Sequence, residues 1–109
     1  MKDNATVSGN TVTELSACGG VNFWHGTFTM QDNASVTNNT TSISSGGGVR
    51  LDPGTFTMQD NASVTNNTAG DGGGGVWVDG TFTMQGGTIS GNTAGEDGGG
   101  LYISIIRAN

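Results

Sequence analysis

The chain has 109 residues, of which 21 are glycine, nine acidic and three basic, for a formal net charge of −6. Its cations, Lys2, Arg50 and Arg107, are scattered, so the clustered positive charge that nucleic acid or an anionic membrane surface requires is missing. No apolar run is long enough to span a bilayer, and a single cysteine, Cys18, excludes an internal disulfide.

The first predicted unit opens on Lys2-Asp3-Asn4-Ala5-Thr6-Val7-Ser8-Gly9-Asn10-Thr11 and runs through a variable stretch into Gly19-Gly20 and the apolar segment Val21-Asn22-Phe23. The pentapeptide Gly-Thr-Phe-Thr-Met follows at 26–30. The second unit repeats this order. Gln31 to Thr40 is followed by Gly47-Gly48, Val49-Arg50-Leu51 and a second Gly-Thr-Phe-Thr-Met at 54–58. In the third, residues 59–68 copy 31–40 without change, ahead of Val76-Trp77-Val78 and the pentapeptide at 80–84. A looser fourth copy starts at Gln85 and reaches Leu101-Tyr102-Ile103. A repeat of 20–50 residues means one supersecondary unit stacked on copies of itself.

Each unit holds three short segments in which apolar and polar residues alternate, the period of a strand with one buried face. Coil stacked on coil, they predict three parallel sheets around a narrow core. The expected inner columns are Phe28/Phe56/Phe82, Met30/Met58/Met84, Val7/Val36/Val64/Ile89 and Val21/Val49/Val76/Leu101. The turns agree. One column reads Gly9, Asn38, Asn66, Gly91, the residues that best tolerate a left-handed backbone. The next is Asn10, Asn39, Asn67, Asn92, able to form an amide ladder, followed by Thr11, Thr40, Thr68 and Thr93. Asp3-Asn4, Asp32-Asn33, Asp60-Asn61 and Gly86-Gly87 mark another corner. So much glycine and no stripe of 3.6-residue period argue against helix.

The pattern resembles the right-handed parallel β-helix (pectate-lyase-like) repeats of bacterial surface and secreted proteins, including autotransporter passengers. The resemblance covers residues 1–104. It implies an all-β right-handed β-solenoid with three sheets and about four coils of 26–29 residues, one domain over 1–109 divided near 1–29, 30–57, 58–83 and 84–109. It implies an extracellular or bacterial cell-surface location. The wider fold family includes pectin-cleaving enzymes, but no residues here match their catalytic sets, so no catalytic residue, metal ligand or cofactor is expected.

Individual candidates for chemistry are weak. His25 has no partner set for metal or nucleophilic work and reads as a turn residue. Asp71, Asp79, Glu96 and Asp97 lie near glycine runs without the spacing of calcium-binding nonapeptides. Gly72–Gly75 lacks the Lys-Ser/Thr and helix of a phosphate cradle. The Asn-x-Ser/Thr triplets at Asn4, Asn33, Asn38, Asn39, Asn61 and Asn66 arise from the repeat's turns. Cys18 falls in the column of Gly46, Gly73 and Gly98 and reads as a small core or turn residue, with an intermolecular bridge as the alternative.

Two outward surfaces are candidate ligand faces. Thr27/Thr29, Thr55/Thr57 and Thr81/Thr83 predict a two-wide threonine ladder resembling the ice-binding faces of β-solenoid antifreeze proteins. Trp24, Trp77 and Tyr102 form an exposed aromatic strip suited to packing between neighbouring rods or, if the chain is a fragment of a bacterial surface adhesin or autotransporter passenger, to a glycan or host protein. Neither end shows a recognisable cap. Met1 falls in the phase of Met30, Met58 and Met84, and Asn109 falls where the next Met would come. The expected function is therefore a non-enzymatic structural subunit whose partner is itself. Val7, Leu101, Ile103 and Ile105 are its self-assembly edges, joined head-to-tail into an extracellular filament. Nucleic acid and membrane insertion are not expected.

Overall fold

A computed structural model describes residues 1–13, 18–96 and 98–104. The first coil carries β1 (Thr6–Ser8), β2 (Thr11–Val12), β3 (Val21–Phe23) and β4 (Thr27–Met30). The second has β5 (Ser35–Thr37), β6 (Thr40–Thr41) and β7 (Val49–Met58), and the third β8 (Ser63–Thr65), β9 (Thr68–Ala69) and β10 (Val76–Met84). The last partial coil has β11 (Thr88–Ser90), β12 (Thr93–Ala94) and β13 (Leu101–Ser104).

All the strand pairs are parallel and join each strand to its counterpart one coil away. One sheet runs β1-β5-β8-β11, a second β2-β6-β9-β12, and a third β3-β7-β10-β13 with β4 also on β7. The chain is a right-handed parallel β-solenoid of three sheets. The described residues make three full turns and part of a fourth. Isologous residues stack as the repeat requires: Val7 on Val36 on Val64 on Ile89, and Phe28 on Phe56 on Phe82.

The sheets are not quite the three that the alternating segments predict. Val-x-Leu/Val and Thr-Phe-Thr-Met fuse into one bent strand in β7 and β10. The second sheet is instead built from the short Thr11, Thr40, Thr68 and Thr93 strands, which the sequence pattern assigns to a corner. Two residues are too few to show alternation, so periodicity misses them.

Length changes fall at corners and leave the register intact. The ladder shifts between Val78 and Gly80, where the third coil has no counterpart of Pro53. The Asp-Asn-Ala corner of the second and third coils shrinks to Gly86-Gly87 in the last. The predicted left-handed positions have positive φ: Gly9 +70°, Asn38 +59°, Asn66 +57° and Gly91 +66°.

The core is a stack of like on like. Met30, Met58, Val36, Val64, Val49, Val76, Leu51, Val78 and Phe56 are all completely buried, with Ala34 and Ala62 beside them. The phenylalanine rings stack coil over coil, Phe28 to Phe56 at 5.3 Å and Phe56 to Phe82 at 5.2 Å between centroids. The glycine pair ahead of each Val strand has a steric cause. A Cβ on Gly48 would lie 2.7 Å from the Gly75 carbonyl oxygen and 2.8 Å from the Asn67 amide.

Candidate functional site

The same columns that vanish from solvent in the middle emerge at the ends. Met30 and Met58 are 0 % exposed, whereas Met84 is 45 % exposed; Leu51 and Val78 are 0 % exposed and Ile103 is 40 %. Val7, Val21, Phe23 and Phe28 at one end, and Phe82, Ile89 and Leu101 at the other, are only partly buried. Of the predicted assembly edges, Val7 lies on the first rung, and Leu101 and Ile103 on the last. Ile105 lies outside the described residues, as do Asp97 and 106–109. Met1 sits one rung before Met30: its amine donates to the Thr29 carbonyl at 2.7 Å, and Gln31 N–H donates to the Met1 carbonyl at 3.0 Å.

The end strand also presents backbone. Val76 N–H donates to the Gly100 carbonyl at 2.9 Å. In a parallel pair successive residues face alternate neighbours. Tyr102 therefore pairs back to β10, and the N–H groups of Leu101 and Ile103 point away from the stack.

Beside the apolar core runs the asparagine column. Asn39 and Asn67 are completely buried, although a corner residue is ordinarily exposed. Each amide bonds across the coil boundary. Asn10 Nδ2 donates to Asn39 Oδ1 at 2.9 Å, Asn39 Nδ2 to Asn67 Oδ1 at 3.1 Å, and Asn67 Nδ2 to Asn92 Oδ1 at 3.0 Å. The same Oδ1 atoms accept the backbone N–H groups of Asn10, Asn39 and Asn67. Burial without such partners would cost about 1–3 kcal/mol per group. No buried side-chain polar atom lacks a partner among the described residues.

The threonine ladder exists in register: Thr27, Thr55 and Thr81 pair in one file, Thr29, Thr57 and Thr83 in the other. Thr27, Thr81 and Thr83 are exposed, and Thr29, Thr55 and Thr57 half-buried. The aromatic strip is more closed than the sequence suggests. The Arg50 guanidinium lies 4.9 Å over the Trp77 ring, and Tyr102 stacks beyond it at 6.4 Å with planes 3° apart. Arg50 is held there by Ser44 Oγ at 3.0 Å and by Asp52 at 3.3 Å. Both faces of Trp77 are thus engaged by the chain itself, and Trp24, 80 % exposed, is the open ring.

Two shallow clefts flank this strip. One of about 330 Å³ is lined by Ser45, Arg50, Asp71, Trp77, Glu96 and Tyr102, the other of about 250 Å³ by Asn22, Trp24, Arg50 and Asp52. No group of three or more His, Cys, Asp or Glu side chains is arranged to hold a metal among the described residues. His25 is an exposed turn residue with φ +70°, its N–H donating to the Pro53 carbonyl. Cys18 is buried, and that burial pushes its thiol up to about 11, with Arg50 pulling weakly the other way.

No family model, curated protein or solved structure matches the chain. The repeats and the parallel strand pairing thus support the β-solenoid architecture, while no relative carries the pectate-lyase-like identity further.

Proposed function

We propose that this chain is a non-enzymatic structural module that extends by stacking a further copy, head-to-tail, on its open end rungs, and that the product is an extracellular or cell-surface filament. One observation carries the reading: the first and last rungs expose the same side-chain columns that the interior coils bury completely. Val7 and Ile89, Val21 and Leu101, and Met1 and Met84 offer apolar matches across such a junction. Unpaired strand edges invite pairing, and a head-to-tail contact that does not close grows into a filament.

The test is electron microscopy of the purified chain over a concentration series. Rods that lengthen with concentration support the reading; particles of constant size at all concentrations sink it. Proline at Ile103 removes a donor that faces the junction and is expected to abolish the rods. Rods formed normally by Ile103→Pro would exclude docking through β13.

The in-register threonine array favours a second reading, ice binding on the Thr27/Thr55/Thr81 face. It predicts thermal hysteresis in the wild type and its loss in Thr55→Tyr, which interrupts the array at its central rung. A wild type without hysteresis removes this reading.

A further inference from the structure

The asparagine ladder has a direction. The Oδ1 of Asn39, Asn67 and Asn92 each faces a backbone N–H of the preceding coil, and the Nδ2 of each reaches a backbone carbonyl, so none of these three amides can be turned over without losing bonds at both atoms. Donors point toward the C-terminal end of the stack and acceptors toward its N-terminal end. The second contact of each interior amide is equally regular. Asn39 Nδ2 donates back to Val7 O at 3.1 Å, Asn67 Nδ2 to Val36 O at 3.0 Å, and Asn92 Nδ2 to Val64 O at 2.9 Å.

The ladder stops unsatisfied in opposite senses at its two ends. Among the described residues nothing donates to Asn10 Oδ1 and no earlier coil meets it, and the Asn10 amide turns to its own strand and bonds Ser8 O at 3.2 Å. At the other end, the Asn92 N–H and the second hydrogen of its amide meet no acceptor among the described residues. One end is short of donors, the other short of an acceptor.

We infer that this amide column sets the polarity and register of the junction between copies, with Asn92 of one copy and Asn10 of the next forming the missing rung. The inference rests on the stacking reading and specifies its partner surface. The Asn92 N–H and Nδ2–H donate to the incoming Asn10 Oδ1. The incoming Asn10 Nδ2 leaves Ser8 O for Ile89 O, reproducing the interior pattern. Head-to-head docking sets acceptor against acceptor, and tail-to-tail docking sets donor against donor. Only head-to-tail completes the column, and only in the register that places Val7 over Ile89 and Val21 over Leu101.

The experiment is sedimentation velocity on full-length wild type, Asn10→Ala, Asn92→Ala and an equimolar mixture of the two variants. Each variant alone has a defect in all its junctions and is expected to associate about 100-fold more weakly than wild type, the effect of leaving a buried amide group unpaired. In the mixture the intact Asn92 end of Asn10→Ala meets the intact Asn10 end of Asn92→Ala. Heterodimers with the wild-type junction affinity are expected, and no longer species. Dimers formed by either variant alone at wild-type affinity would show symmetric docking and overturn the inference. A mixture that stays monomeric, with both variants folded by circular dichroism, overturns it too. Ser at the same positions gives the same comparison if Ala unfolds the chain. A wild type that stays monomeric sinks the stacking reading itself; a wild type that polymerises alongside equally competent single variants sinks only the ladder's role.

Discussion

Residues 30–83 and the two flanking part-stacks are built from nearly the same sequence, yet they differ in what their side chains experience. Met58, with a coil on either side, is fully buried, whereas Met84, in the same column and the same pentapeptide, is 45 % exposed. The asparagines divide the same way: Asn39 and Asn67 are enclosed, and Asn10 is exposed. In a stacked repeat a side chain's contribution is set by how many neighbours its coil has rather than by its identity. The terminal coils hold the interior's interactions with one side left unmade.

The largest expected effect comes from breaking that contrast in the phenylalanine column. Phe56→Ala removes a fully buried ring between Phe28 and Phe82 and should cost about 3–5 kcal/mol. Phe82→Ala removes the half-buried end ring and should cost roughly half as much in dilute protein, measured by urea denaturation of each variant. Equal losses at low concentration would show that the ends are not energetically open.

A smaller effect sharpens the comparison from inside the first coil. Cys18 is buried despite its terminal position, beneath the coil that carries Arg50. Its folded pKa of about 11 stands above the ordinary value of 9.0, so the folded chain holds the proton more tightly than the unfolded chain. Stability from this group is complete below about pH 9 and falls as pH rises toward 11. The loss is on the order of 3 kcal/mol for a shift of this size. A Cys18→Ala variant should lack this alkaline decline relative to wild type, as read from melting temperature against pH. An identical decline in both would place its origin elsewhere.

Much of the architecture was readable from residues that repeat. Phe28, Phe56 and Phe82 share a motif, so register follows from stacking like on like, and Gly9, Asn38, Asn66 and Gly91 announce the left-handed corner. The candidate surfaces were readable as columns: the threonine pairs do stand in file, and Trp77 and Tyr102 do neighbour each other. What periodicity missed was short or three-dimensional. The two-residue strand Thr40–Thr41 shows no alternation. Arg50 lies flat on Trp77 because side chains one coil apart are brought within ring-stacking distance, which spacing alone does not reveal.

The amino-acid sequence by itself determined the stack and its register, because near-identical coils leave one alignment in which the core Val, Phe and Met columns each stack on their own kind. Folding in three dimensions decided the rest. It turned the corner asparagines Asn67 and Asn92 inward against the Gly48 and Gly75 backbone, and gave the amide column a donor sense and an acceptor sense. Direction and exposure are properties of how one coil lies on the next, and a repeat count carries neither.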